Sequence, residues 1–151
     1  MKKTILTVIL CGFIVLGLTG CGNNNKFDVG EKSNIQISDK GIKLSIKEGT
    51  LTKTGVTLIL KNDSDVDVEY GEPYEIEIKE DKEWHKIDVE LYFNLPAYKL
   101  KPKEFKEIEL NWENDYGKLA PGEYRIIKDV SILKENNKFE QIYVSTEFSI
   151  K

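Results

Sequence analysis

The sequence predicts an all-β protein: an antiparallel β-sandwich of seven to eight strands, preceded by an export segment and a short tether. Two observations predict this fold. From Ile35 onward, apolar residues alternate with polar ones, and clusters of Asn, Asp, Gly and Pro interrupt the alternation at short intervals. A period of two places one face of each strand on a core and the other face in water. The sequence contains no helical stripe of comparable length.

The N-terminal segment predicts export. Lys2 and Lys3 form a short basic start, and residues 5–18 are an apolar run without any charge. In a helix these residues would span about 21 Å, which is less than the ~30 Å thickness of a hydrocarbon core. The pattern therefore favours a signal peptide over a transmembrane helix.

The motif that follows, "LTGC" at residues 18–21, resembles the lipobox of bacterial lipoproteins. The resemblance implies that residues 1–20 are cleaved off as a lipoprotein signal peptide and that a diacylglycerol is attached to the Cys21 sulfur. The protein would then be held in the cell membrane by its acyl chains, on the extracellular face. The alternative is an ordinary signal peptide followed by a chance cysteine. Cys11 would leave with the signal peptide, so no disulfide is possible within the mature domain.

A polar stretch separates Cys21 from the alternating region. Residues 22–34 are rich in Asn and Gly and contain only Phe27 and Val29 as apolar residues. Such a segment buries too little surface to offset its ordering entropy. We therefore predict a flexible tether over residues 21–34 and a single folded domain over residues 35–151.

Several alternating runs predict the strands of this domain. They are residues 42–46, 56–60, 76–78, 87–91, 108–112 and 142–150, with turn-forming residues at 62–65, 80–82, 96, 101–103, 121–122 and 135–137. The run "YRIIKDVSIL" at residues 124–133 is irregular, because Ile126 and Ile127 are adjacent and Lys128 follows them. A bulge, or a strand covered on both faces, would explain it.

A turn motif precedes that irregular run. Leu119, Pro121, Gly122 and Tyr124 resemble the tyrosine corner of immunoglobulin-like and fibronectin type III sandwiches. In such a corner Pro and Gly form a tight turn, while the tyrosine ring caps the core and its hydroxyl bonds to the backbone upstream.

Three segments carry a wider resemblance: "LKNDSDVDVEYGEPYEIE", "DKEWHKI" and "YKLKPKEFKEIELNWENDYGKLAPGEYRIIKDV". Together they resemble the bacterial Ig-like domain family that occurs in lipoproteins and other surface proteins of Gram-positive bacteria. The resemblance covers about residues 55–130. It implies an immunoglobulin-like sandwich and supplies no catalytic residues, and a fold by itself does not confer a function.

The charge pattern narrows the range of partners. The net charge is −4, and it becomes more negative once Lys2 and Lys3 leave with the signal peptide. Lys and Glu alternate instead of forming blocks. This argues against nucleic acid and against electrostatic docking on anionic lipid, which both require a clustered basic face.

The candidates for metal binding and catalysis are few. Asp63, Asp65 and Asp67 have the spacing of calcium ligands, but they lack the Gly and the bidentate Glu of an EF-hand loop, and an interstrand turn is the alternative. His85 is the one histidine of the sequence and is more simply a half-exposed strand residue. We expect no metal, no cofactor and no enzymatic activity.

Aromatic residues favour a binding role. About half of the aromatic side chains must fill the core, and Tyr92, Tyr98 and Tyr116 lie nearest to turns, so they are the candidates for an exposed binding surface. The sequence thus favours a non-catalytic, lipid-anchored surface module that mediates protein or envelope interactions. There are two alternative functions. The first is inhibition of an exported protease through the loop at residues 91–100, although this segment is also consistent with a buried connection between the sheets. The second is binding of wall glycan.

Overall fold

The computed structural model of the protein describes residues 27–94, 96–134 and 138–151. The predicted signal peptide, Cys21 and residues 22–26 of the predicted tether lie outside the described residues. Within the described residues, no helix has the length and apolar character needed to span a membrane.

All regular elements in these ranges are β-strands. They are, in chain order, β1 (Asp28–Lys32), β2 (Ile42–Ile46), β3 (Gly55–Asn62), β4 (Val68–Tyr70), β5 (Glu75–Glu80), β6 (Glu83–Asp88), β7 (Tyr98–Leu100), β8 (Phe105–Asn111), β9 (Gly122–Leu133) and β10 (Phe139–Ile150).

The strands form two antiparallel sheets. The larger sheet has the order β1-β6-β5-β9-β4-β7, and β10 pairs with the other side of β9 along its whole length. The smaller sheet has the order β2-β3-β8. An isolated parallel bridge also joins Ile37 to Tyr143 on β10. This arrangement confirms the predicted all-β sandwich of immunoglobulin type.

The core lies between the two sheets and is built from the apolar face of each strand. Ile42, Leu58 and Ile126 are fully buried there, and Trp112 packs against Phe148 with ring centroids 6.0 Å apart. The indole nitrogen of Trp112 donates to the Lys53 carbonyl at 3.0 Å, so its polar atom is satisfied. Each such side chain contributes about 1.5–3 kcal/mol by leaving water.

The predicted number of strands was too low. Apart from β1, β4 and β7, six of the seven remaining strands overlap the alternating runs and the irregular run of the sequence. The predicted run at residues 87–91 is the exception, because β6 ends at Asp88 and shares only two residues with it. The strands that the sequence did not predict are β1, in which Val29 is the one apolar side chain, and β4 and β7, which contain three residues each. Alternation over so few residues is not distinguishable from loop sequence. These strands form because a neighbouring strand already offers a hydrogen-bonding edge.

The ordered domain also begins before residue 35, which corrects the predicted extent of the tether. Phe27 is buried in the core, and β1 pairs with β6. The backbone amide of Ser33 continues this contact by donating to the Trp84 carbonyl at 2.8 Å. Composition alone does not predict this, because the ordering of residues 28–32 depends on hydrogen bonds to β6, which is distant in the chain.

The irregular run forms β9, which is covered on both faces. The five consecutive residues from Tyr124 to Lys128 are all buried, and β9 pairs with β10 from Gly122 to Leu133 without a change of register. Of the two explanations that the sequence allows, the covered strand is therefore correct and the bulge is wrong. Two charged side chains, Arg125 and Lys128, are buried in this strand and are satisfied there by polar partners.

The tyrosine corner has the geometry that the sequence predicts. The Tyr124 ring is fully buried, and its hydroxyl donates to the Ala120 carbonyl at 2.9 Å. Leu119 is buried beside the core, and Pro121 lies exposed in the turn. A Cβ atom on Gly122 would lie 3.2 Å from Cε2 of Tyr124, so glycine permits the close approach of turn and ring.

Candidate functional site

A cleft opens on the side of the sandwich where β4 and β7 of the larger sheet stand opposite β8 of the smaller one. It has a volume of about 530 Å³. One wall is aromatic and is formed by Tyr70, Tyr74, Tyr92, Phe93 and Tyr98. The other wall is β8, of which six consecutive residues, 106–111, line the cleft. We call this feature the aromatic cleft.

The aromatic wall combines packed rings with exposed ones. Tyr70 and Tyr98 have ring centroids 5.5 Å apart, and Tyr74 and Phe93 meet edge to face at 5.3 Å. Tyr98 is 43% exposed and Tyr92, in the loop between β6 and β7, is 84% exposed. The predicted exposure of Tyr92 and Tyr98 is therefore confirmed, and the fold brings both to the same cleft.

Tyr116 does not belong to this exposed surface, so that part of the prediction was wrong. It is only 2% exposed, its ring centroid lies 6.2 Å from that of Tyr74, and its hydroxyl accepts a hydrogen bond from the Ile76 amide at 3.0 Å. Burial raises the pKa of this hydroxyl well above its usual range. The chain turns back after Trp112, whose carbonyl accepts the Tyr116 amide at 2.8 Å, and this turn directs the ring inward. Proximity to a turn did not imply exposure.

The rim of the aromatic cleft is acidic. Glu72, Glu107, Glu109 and Asp115 line it, with Lys106 as the one basic residue among the described lining residues. The Tyr98 hydroxyl donates to Glu72 at 3.4 Å, and Glu107 pairs with Lys47 at 2.8 Å. The cleft therefore joins aromatic surface to an excess of negative charge.

A buried lysine holds the backbone segment that connects two tyrosines of the aromatic wall. The ammonium group of Lys128 donates to the carbonyl oxygens of Gly71, Glu72 and Pro73 at 2.9, 3.3 and 2.8 Å. These residues connect β4 to β5, between Tyr70 and Tyr74. Burial lowers the pKa of Lys128 to about 8. Sequence reasoning missed this residue, although a lysine directly after two adjacent isoleucines was the available signal.

The comparison with known families covers most of the domain. A family model described as a bacterial Ig-like domain matches residues 38–149. The chain belongs to the bacterial Ig-like domain family. Membership indicates a non-catalytic surface module. A search of curated proteins found no match to this chain.

A second cleft of the Ig-like domain is more polar. It has a volume of about 460 Å³ and lies beside β1 and β6, where Lys86 pairs with Glu31 at 3.0 Å. Its lining includes Gly30, Asp88 and the edge of buried Tyr116. Charges of both signs already pair within it, and it lacks the exposed aromatic rings of the aromatic cleft, so we place the candidate binding site at the latter.

The Ig-like domain does not gather Asp63, Asp65 and Asp67 into a calcium site. Among the residues that the structure describes, no group of three or more His, Cys, Asp or Glu side chains could hold a metal ion. Asp63 pairs with Lys61 at 2.8 Å and with Lys43 at 3.0 Å, and hydrogen bonds from these two lysines lower its pKa. Asp65 pairs with Lys103 at 2.9 Å. The carboxylates of Asp63 and Asp65 are thus directed to lysines.

The segment forms the interstrand turn that was the alternative interpretation. Asn62 is buried, and its side-chain oxygen accepts hydrogen bonds from the amide and the hydroxyl of Ser64 at 3.0 and 2.6 Å. Its side-chain nitrogen donates to the Val66 and Leu100 carbonyls at 2.8 and 3.1 Å. Asn62 therefore holds the turn after β3 and joins it to β7.

His85 has the placement expected of a structural strand residue. It lies half-buried in β6, and its Nδ1 atom is 3.3 Å from the Gly30 carbonyl oxygen on β1. The neighbouring Trp84 packs under two cations, with Arg125 4.8 Å and Lys79 5.2 Å from the ring centroid. These contacts link β1, β5, β6 and β9.

Proposed function

We propose that this Ig-like domain is a non-catalytic, lipid-anchored module on the extracellular face of the cell membrane, and that its aromatic cleft binds a protein of the cell envelope. The observation that carries the proposal is the cleft itself. Exposed tyrosines next to a concave surface are typical of binding sites, because their rings bury a large area at low entropic cost.

The lipid anchor is supported by the lipobox resemblance at residues 18–21. Its test is metabolic labelling of cells with a clickable fatty acid. We expect label on the wild-type protein and none on a Cys21→Ser variant. Equal labelling of the two proteins would show that Cys21 is not the site of lipidation.

The binding role is tested by site-specific photo-crosslinking on intact cells. The photoreactive residue p-benzoylphenylalanine replaces Tyr92 in one variant and Phe139 in the control. Phe139 is a suitable control because it is also an exposed aromatic residue, at 52%, but lies at the start of β10 outside the aromatic cleft. We expect one dominant envelope protein to be captured at position 92 and not at position 139. Equal capture at both positions would contradict a specific site.

A second candidate function is inhibition of an exported protease. The observation that favours it is the high exposure of Tyr92 in the loop between β6 and β7, where its hydroxyl donates to Glu90 at 2.9 Å. Incubating the soluble domain with secreted proteases tests this function. Cleavage of the loop without loss of protease activity would exclude it.

Binding of wall glycan is the other alternative, because tyrosine rings also stack on sugars. Retention of the soluble domain on purified wall material, and loss of that retention in a Tyr92→Ser variant, would favour glycan over protein as the partner.

A further inference from the structure

We infer that the aromatic cleft is a strand-addition site, in which an extended, basic peptide segment of a partner protein pairs with the free edge of β8. This inference rests on the proposed function and specifies the chemical class of the ligand. In this mode, backbone hydrogen bonds supply affinity, and pockets for alternate side chains supply specificity.

The lining of the cleft shows that β8 presents its backbone to it. Side chains of a strand alternate between the two faces of a sheet, so one face contributes only every second residue to a cleft. Six consecutive residues of β8 line the aromatic cleft. This happens when the cleft runs along the edge of the strand, where N–H and C=O groups of successive residues are accessible.

The pairing of β8 leaves that edge open. Among the described strands, β8 pairs with β3 alone. At the two ends of this pairing, the Glu104 carbonyl accepts the Asn62 amide and the Trp112 amide donates to the Thr54 carbonyl, each at 2.9 Å. Even-numbered residues therefore bond toward β3. In an antiparallel ladder the residues between them direct their backbone groups to the other side.

The amides of Glu107, Glu109 and Asn111 are accordingly directed away from β3, toward the cleft. A row of unpaired backbone donors and acceptors is a template for another strand. At about 3.4 Å per residue, the six lining residues span about 20 Å, which is the length of a typical short strand. An added strand would lie about 4.8 Å from β8, beside the rings of Tyr70 and Tyr98 on the opposite wall.

The charge of the cleft indicates a basic peptide. Three carboxylates, on Glu72, Glu109 and Asp115, line the cleft beside one lysine, Lys106, whereas the fourth, on Glu107, already pairs with Lys47. Glu109 stands on the edge strand itself, where it would repel the same residue on the edge of a second copy of this chain. A partner strand that carries Lys or Arg at alternate positions would form hydrogen bonds with the free backbone groups of β8 and would also neutralise the carboxylates of the cleft.

The test uses fluorescence anisotropy with a labelled peptide of alternating lysine and valine, and with its glutamate and valine counterpart as a charge control. Two further peptides are N-methylated, one on every lysine and the other on every valine. Because the N–H groups of successive residues in a strand point to opposite edges, either the lysine amides or the valine amides of the peptide can face β8, but not both. We expect the lysine peptide to bind, the glutamate peptide to bind at least tenfold more weakly, and one of the two methylated peptides to lose binding at least tenfold. Equal effects of both methylations would overturn strand addition.

Two variants of one residue provide the matched test on the protein. Glu109→Pro removes an outward N–H and leaves the bonds of the β3 ladder in place, as is tolerated on edge strands, whereas Glu109→Gln removes only the charge. We expect a loss of at least tenfold for proline and of two- to threefold for glutamine. Circular dichroism checks that both variants fold, and the methylated peptides keep the test decisive if the proline variant does not.

The remaining outcomes separate this inference from the proposed function. Peptide binding that is lost in a Tyr92→Ser variant but kept in Glu109→Pro would overturn strand addition and leave the aromatic cleft as a binding site. A concentration-dependent dimer that Glu109→Pro dissociates would assign the edge to a second copy and overturn the inference. Competition by soluble wall glycan fragments that Glu109→Pro leaves unchanged would overturn it in favour of sugar stacking.

Discussion

Replacing Arg125 by methionine is expected to reduce the free energy of unfolding by about 3–5 kcal/mol. Glu77 is 0% exposed, and its Oε2 atom accepts the Nε of Arg125 at 2.7 Å and lies 2.6 Å from the second guanidinium nitrogen, Nη2. Its Oε1 atom has no hydrogen-bond partner among the described residues. Removing the arginine would therefore leave a buried carboxylate without its cation.

The double replacement distinguishes the cost of an orphaned charge from the loss of packing. Glu77→Met together with Arg125→Met removes both charges and keeps similar volumes. Apolar replacements of a whole buried pair are often neutral or stabilising by about 1–4 kcal/mol. We expect the double variant to lie within about 1 kcal/mol of the wild type, and the single variant to melt roughly 10–20 °C lower.

Urea denaturation of the soluble domain measures these differences. Unfolding is followed by circular dichroism and not by tryptophan fluorescence. Arg125 lies over the Trp84 ring, so its removal would alter the tryptophan emission even without unfolding. The control is Lys32→Met, which breaks an exposed pair with Glu83 and should cost less than about 1 kcal/mol. If Arg125→Met costs no more than this control, or if the double variant is as unstable as the single one, the reasoning is refuted.

Three other outcomes are expected. Tyr124→Phe removes the hydrogen bond to the Ala120 carbonyl and should cost about 1–2 kcal/mol in the same urea experiment, with an unchanged m-value; no loss would mean that the corner is held by packing alone. Burial raises the pKa of Tyr74 and of Tyr124 to about 12, so the folded state keeps these protons after the unfolded chain has lost its own near pH 10. The free energy of unfolding should therefore fall as the pH rises from about 10 to about 12, less steeply in Tyr124→Phe, and equal slopes would contradict this. Lys128→Met leaves three carbonyl oxygens of residues 71–73 without their donor, and hydrogen exchange of the amides of the adjoining strand β4, which pairs with β9 and β7, should accelerate about tenfold or more relative to β3; unchanged exchange would show that this region does not depend on Lys128.

The long strands were predictable because burial of one face imposes a period of two on the sequence. β2 coincides with its predicted run, and β10 contains the whole of the run at residues 142–150. The tyrosine corner was predictable for a similar reason, since Gly122 and Tyr124 meet within one turn and their contact depends on local chain geometry.

The aromatic cleft was predictable only in part. Tyr92 and Tyr98 were proposed because they lie near turns, and they are exposed, but the same criterion selected Tyr116, which the turn after Trp112 directs into the interior. Tyr70 and Tyr74 were not proposed, and they complete the wall. Whether an aromatic side chain near a turn faces water depends on which neighbouring strand covers it, and these neighbours are distant in the chain.

The sequence by itself determined the strand pattern and the immunoglobulin-like sandwich, because both follow from alternation and turn residues that act over a few positions. Only the tertiary structure decided the order of the strands, the short strands β1, β4 and β7, and the free edge of β8. It also decided that Lys128 and Arg125 are buried with partners far along the chain. The physical reason is the same in each case: hydrogen bonds and ion pairs between distant segments leave no periodic trace in the residues that form them.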